Sequence, residues 1–356
     1  MKRSLKKNLL ALAVCMALPM GTPALAEDTP DGPDKSDWVC KLCMISSGWF
    51  GSWEFGLIYV DQPTPKFADW RGLDDDGYIA LSGDARFIGE NGYYFDFYGR
   101  RLGLDSRSME LQGGKQGTYE YRAAYQEIPR YLGYSTTTPY VGVGTDVLTL
   151  PPGWEPADGT GVFVPATLET KRKTADAGFT YHMSRSWKFD IDVERQTRDG
   201  TYAFANGVFP FNGVAFPSPV DYTTDLIDAA IQFNGNRGQL RLGFIGSEFD
   251  NGYDSVTIDN PFSLGLGAET AESALAPDNE YAQVNLAGAY RFSRRFRVSG
   301  KAAWGEMEQN AAFLPYSTNP EFDDLTLPRT SLDGKVDTTF FNLGGTVYLK
   351  LADRLD

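Results

Sequence analysis

Residues 281–308, YAQVNLAGAYRFSRRFRVSGKAAWGEME, decide how the rest of the chain is read. In the first half Val284, Leu286, Tyr290 and Phe292 share one parity, with Gly288 as a gap, and Gln283 and Asn285 take the other. In the second half Phe296, Val298, Ala302 and Trp304 alternate with Arg297, Ser299 and Lys301. Side chains alternate across a strand, so each half has one apolar and one polar face. Ser293-Arg294-Arg295 joins them in a short polar turn. Each arm has about the 9–11 residues that a tilted membrane-crossing strand needs, whereas an ordinary strand has about 5–6. Two long arms with aromatic tips on a tight turn predict a hairpin of an outer-membrane β-barrel. A soluble antiparallel sheet is the plainer alternative for this hairpin alone.

The same alternation recurs along the chain. It predicts strands at 51–60, 78–89, 93–103, 106–113, 117–126, 173–183, 187–198, 224–234, 238–249 and 336–351, which with the two arms makes about twelve. Residues 187–198 alternate most cleanly, with Trp187, Phe189, Ile191 and Val193 against Lys188, Asp190, Asp192 and Glu194. Asn91-Gly92 is a hairpin signal. Connections at 90–92, 184–186, 235–237 and 293–295 are short, whereas those at 127–172, 199–223, 250–280 and 309–335 read as long loops. Outer-membrane barrels sort their connections in this way, with short periplasmic turns and longer outer loops, and a sandwich has no reason to. The expected fold is therefore all-β, a transmembrane antiparallel barrel. The phase of the connections puts the N-terminus in the periplasm. Charges on the polar face must look into a lumen, because Arg or Lys facing lipid near the midplane costs about 2–4 kcal/mol. That lumen is wet or filled by something polar.

Composition agrees. The chain has 356 residues, 42% hydrophobic and 14% aromatic, with 38 glycines and no apolar run of the roughly 18 residues that a spanning helix needs. A formal charge of −14 argues against nucleic acid, and against anionic lipid as the main partner. Lys2, Arg3, Lys6 and Lys7, an apolar stretch from Leu9 to Leu18 and Ala24-Leu25-Ala26 form a secretory signal over residues 1–26. Residues 27–50 read as a periplasmic leader, acidic and bearing Pro and Gly at its start, and 51–356 as the barrel. Cys15 falls within the signal, which leaves Cys40 and Cys43 in a Cys-Lys-Leu-Cys pair. In an exported chain such a pair is a disulfide, a redox-active pair or two inert thiols. Met44 stands where haem attachment would need histidine. The chain's one histidine, His182, rules out several bis-His haems on this chain and is the only candidate base for a hydrolase. Beside a short turn it reads more simply as structural. Asp74-Asp75-Asp76 and Asp323-Asp324 are conceivable Ca²⁺ ligands in loops, with solvated loop charge the simpler reading.

Several stretches then carry a resemblance. They are Cys40–Cys43 after the leader, Ser186-Trp187-Lys188-Phe189 through Glu194-Arg195-Gln196-Thr197-Arg198-Asp199-Gly200, Ala276-Pro277-Asp278-Asn279-Glu280, residues 305–316 (GEMEQNAAFLPY) and residues 327–337 (LPRTSLDGKVD). Together they resemble the MtrB/PioB family of decahaem-associated outer-membrane proteins. The resemblance implies a sheath: a large barrel in the bacterial outer membrane that holds a periplasmic multi-haem c-type cytochrome for extracellular electron transfer, often with a second cytochrome outside. The haem is carried by the partner, and the barrel binds no cofactor and does no chemistry. Family members are about twice as long, with more than twenty strands, and this chain lacks the usual terminal aromatic. It is expected to be an incomplete part of a larger barrel, an N-terminal half. A self-contained diffusion porin is the alternative.

Overall fold

The computed structural model describes residues 47–348 apart from 63, 75–76, 156–160, 210–211, 263–268 and 323. The predicted signal, most of the leader, Cys40, Cys43, Asp75, Asp76 and Asp323 lie outside the described residues.

Twelve strands form one sheet, each hydrogen-bonded antiparallel to the next. In order across it they are β1 (Gly48–Tyr59), β2 (Gly77–Ile88), β3 (Tyr93–Arg100), β4 (Ser108–Lys115), β5 (Tyr119–Thr138), β7 (Val164–His182), β8 (Trp187–Phe209), β9 (Asn212–Asn234), β10 (Gly238–Asn251), β13 (Asn279–Arg291), β14 (Phe296–Gln309) and β15 (Gly334–Val347). Three short strands, β6 (Val147–Leu148), β11 (Ser255–Asp259) and β12 (Thr270–Ala274), make a separate small sheet. A four-residue helix, α1 (Pro65–Ala68), follows β1, with Thr64 capping its N-terminus. Among the described residues β1 and β15 are the free edges of the large sheet, which is not closed on itself.

Register assigns every side chain to a face. Trp53 stands opposite Gly83, Phe55 opposite Leu81 and Leu57 opposite Ile79. The same row parity carries Phe97 and Leu111, then Tyr121 and Phe179, then Ile191 and Ala229, then Leu242, Leu286, Ala302 and Phe341. This face is apolar from edge to edge and stays largely uncovered, with Phe55 66%, Leu57 75% and Phe341 72% exposed. Such a continuous exposed apolar surface is far larger than water tolerates. It is the lipid face of a membrane barrel.

The lipid face has two borders. At the end with the tight turns lie aromatic pairs, Trp49 with Phe87 at 5.1 Å, Trp187 with Phe233 at 5.0 Å and Tyr290 with Phe292 at 4.8 Å. At the loop end one register row reads Arg195, Asp225, Glu248, Glu280, Glu308 and Lys335 across six strands. Arg195 and Asp225 close on one another in two hydrogen bonds of 2.7 and 2.6 Å. From Tyr290 to Glu280 strand β13 runs about 33 Å at the usual rise. A tilt of about 40° projects that onto the apolar band of about 25 Å typical of such barrels.

Three predicted loops are in part strand, and one of them, 250–280, holds β11 and β12 of the small sheet. Residues 127–138 and 164–172 continue β5 and β7 as a paired ribbon beyond the lipid band, and residues 199–223 are largely the paired ends of β8 and β9. Pro129 is accommodated in β5 because it sits where the ladder has no partner on one side. Strand β4 ends opposite Gln126, so the flank of β5 beyond it is open. Pro129, which lacks an N–H, faces that flank, and its carbonyl accepts from Trp70 N at 3.2 Å. Asp69 accepts from Tyr131 N at 3.2 Å and from Arg130 Nε at 2.9 Å, and Glu127 N donates to Arg107 O at 2.9 Å. The segment around α1 and the β3–β4 connection thus satisfy an edge that would otherwise be bare.

Candidate functional site: the charged face of the sheet

The opposite face is built from the polar half of each alternating strand. Arg86 on β2 and Asp96 on β3 are cross-strand neighbours and pair at 2.5 Å, and Arg86 also donates to Tyr98 Oη at 3.2 Å. Tyr94 Oη donates to Glu120 at 2.9 Å, from β3 across β4 to β5. Arg122 on β5 reaches across β7 to Asp192 on β8, with 2.8 and 3.2 Å bonds, and lies 3.7 Å from Asp176. That reach is possible because Gly178 stands between them. A Cβ there would lie 2.3 Å from Asp192 Oδ1 and 2.8 Å from Arg122 Nε. Lys188 pairs with Asp190 at 2.8 Å, Thr180 donates to Asp190 at 2.9 Å, and Arg241 on β10 pairs with Asp228 on β9 at 3.3 Å. The pairs are half-exposed and screened by water, so each adds little to stability. Their larger effect is to hold long side chains flat in a polar lattice along the wall.

The loop end of this face is partly roofed. Phe204, Asn206, Val214 and Phe216 have the parity of Asp192 and Asp228, and therefore project from the charged face above the lipid band. The small sheet packs there. Tyr140, Leu148, Val256 and Ile258 are fully buried with Phe216 and Val214, and Asn206 Nδ2 donates to Ser273 Oγ at 3.1 Å. Tyr140 Oη donates to the Asp259 carbonyl at 3.2 Å, and burial pushes its phenol well above the ordinary value. A second cluster of Val60, Leu73 and Leu104 covers Ile58 and Tyr78 at the loop end of β1 and β2. Nothing in the alternation signalled the roof, since its strands are two to five residues long.

His182 ends β7 at the turn side of the charged face, where its N–H donates to Thr118 O at 2.8 Å. It borders a depression of about 400 Å³ with Tyr94, Gln112, Lys115 and Glu120, and no serine lines it among the described residues. That placement suits a structural residue better than a catalytic base. Asp74 accepts from Tyr78 Oη at 2.8 Å. Among the described residues no group of three or more His, Cys, Asp or Glu side chains is placed to hold a metal ion.

The sequence profile of the outer membrane beta-barrel porin family MtrB/PioB matches residues 59–351. Outer membrane protein MtrB of Shewanella baltica (strain OS185) is 31% identical over 351 residues, covering 95% of this chain and 49% of that protein. The chain thus spans about half the length of this curated relative. Among solved structures, OmpT of Vibrio cholerae is 11% identical with a TM-score of 0.33, covering 84% of this chain and 77% of that one. The siderophore receptor PiuA of Acinetobacter baumannii is 11% identical with a TM-score of 0.39, covering 75% of this chain and 42% of that one. Both likenesses are too loose to bear on the fold.

Proposed function

The chain belongs to the MtrB/PioB family of outer-membrane β-barrel porins, and we propose that its sheet is wall for a barrel that sheathes a periplasmic multi-haem cytochrome. The observation that carries this reading is the charged face, whose hydrogen-bonded and ion-paired side chains run from Ser52–Asp84 on β1 and β2 to Arg241–Asn285 on β10 and β13. A wall of this kind suits a polar protein content and keeps it from hydrocarbon, where buried charge is costly. The family is a porin family and not an enzyme class. With a single histidine the chain is no carrier of bis-His haems, so the electron path belongs to the partner's haems. The wall insulates and positions them for transfer across the outer membrane, toward a second cytochrome on the outer surface.

Twelve strands alone enclose too little space for such a passenger, because barrel diameter grows roughly linearly with strand number. Further wall must complete the barrel, which fits a relative of about twice the length. The turn end, where β1 begins, is the periplasmic end. Residues 1–26 are the export signal, and Cys40 and Cys43 form a disulfide or thiol pair that steadies docking of the cytochrome on the periplasmic side.

Affinity purification from the native host, followed by haem staining, tests the reading. A co-purifying haem protein in stoichiometric yield is the expected result. A haem-free preparation that conducts ions in planar bilayers would instead establish a diffusion porin. Replacing Cys40 and Cys43 together by Ser is expected to reduce both the yield of complex and the electron flux, and unchanged values would remove that role.

A further inference from the structure

Charge is not spread evenly along the inner wall. From β1 to β9 acids and bases interleave, as in Arg86–Asp96 and Arg122–Asp192. On β10, β13, β14 and β15 the same face carries Arg241, Arg291, Arg297 and Lys301, and within those strands it carries no acid. The acids of these strands, among them Glu248, Glu280, Glu306, Glu308 and Asp337, all have the opposite parity. Arg241 leans back to Asp228, and Arg291 donates to the Asn236 carbonyl at 3.1 Å. Among the described residues neither Arg297 nor Lys301 has a carboxylate within ion-pair distance. These two border a groove of about 370 Å³ together with Arg241, Gln232, Gln239 and Asn342, floored by Ala287 and Ala289.

Unpaired cations grouped with amide donors over a small-residue floor form a receptor for carboxylates. From Arg241 on β10 to Asn342 on β15 the groove crosses three strand spacings, about 14 Å. That span suits several carboxylates on a polypeptide surface better than one small ion. Ala287 and Ala289 let such a surface come close to the wall. We infer that the Arg241–Arg297–Lys301 sector is where an acidic face of the lumenal polypeptide docks. The inference rests on the sheath reading and assigns the passenger's orientation: its acidic side faces β10–β15.

The test uses the full chain in detergent micelles, with fluorescent poly-L-glutamate as the probe. Arg297→Gln with Lys301→Gln is expected to weaken binding at least tenfold, whereas Lys66→Gln with Arg185→Gln, an equal loss of charge elsewhere, changes it less than twofold. Equal weakening by both doubles overturns the inference. So does displacement of the probe by millimolar inorganic phosphate, which marks a small-anion site. Binding that appears only after residues 27–37 are deleted also overturns it, since the chain's own acidic leader would then fill the groove. Haem staining separates this from the sheath reading. If a haem protein co-purifies equally with wild type and with the Arg297→Gln/Lys301→Gln chain, the dock falls and the sheath stands. If none co-purifies with wild type, the sheath falls, and with it the passenger assigned to the groove.

Discussion

Ala302 and Ala303 are adjacent, chemically identical and partly covered, yet they belong to different solvents. Ala302 stands between Leu286 and Phe341 on the lipid face, and Ala303 between Asn285 and Phe340 on the charged face. Ala302→Arg is expected to cost about 2–4 kcal/mol and Ala303→Arg less than about 1 kcal/mol, because only the first puts a cation against hydrocarbon. Urea unfolding of the chain in lipid vesicles measures both, and equal costs would remove the assignment of faces. The parity behind this contrast was legible in the sequence, since Ala302 keeps step with Val298 and Trp304. What parity does not give is the neighbour across the sheet. Arg122 and Asp192 are seventy residues apart, and only the register places Gly178 between them. Gly178→Val is therefore expected to destabilise more than Arg122→Gln, which forfeits only a half-exposed pair worth about 1 kcal/mol or less. The same unfolding series compares the two.

At the scale of elements, the strands inside the lipid band follow from alternation and those outside it do not. Within the band one solvent is hydrocarbon, so the pattern of period two is enforced. Above it both faces meet water or other loops, and sequences such as 127–138, EIPRYLGYSTTT, lose the pattern while keeping the ladder. Two register shifts near Gly133 further blur it. The small sheet was invisible for another reason: its strands are too short to show a period, and their burial comes from chain-distant partners. Ile258 is fully buried against that core, and Ile258→Ala is expected to cost about 2–5 kcal/mol locally. Hydrogen exchange should then quicken in β11, β12 and β6 while β13 and β14 keep their protection. Loss of protection throughout would mean that the roof and the wall fold as one unit. Because Asn206 and Ser273 already touch, Asn206→Cys with Ser273→Cys should form a disulfide on oxidation, fixing the roof on the charged side. Failure to cross-link would place the small sheet elsewhere.

For the whole molecule the decisive variable is which end faces out. The connections divide into short turns at one end, such as 183–186 and 235–237, and long segments at the other, such as 252–278 and 310–333. Backbone groups left unpaired in lipid cost several kcal/mol each, so a turn must close fast or leave the membrane altogether. Short turns suit the periplasmic side, from which the barrel inserts, and long ones the outer side, which carries projecting structure such as the β8–β9 ribbon and its roof. The measurement is labelling of intact cells with a membrane-impermeant maleimide, in a Cys40→Ser/Cys43→Ser background that removes the native thiols outside the signal. Thr318→Cys, in a long segment next to the roof, is expected to label in intact cells. Arg294→Cys, in the turn between β13 and β14, is expected to label only after the outer membrane is permeabilised. The reverse pattern would turn the barrel over, put Cys40 and Cys43 at the cell surface, and separate the basic sector near Arg297 from any passenger that enters from the periplasm.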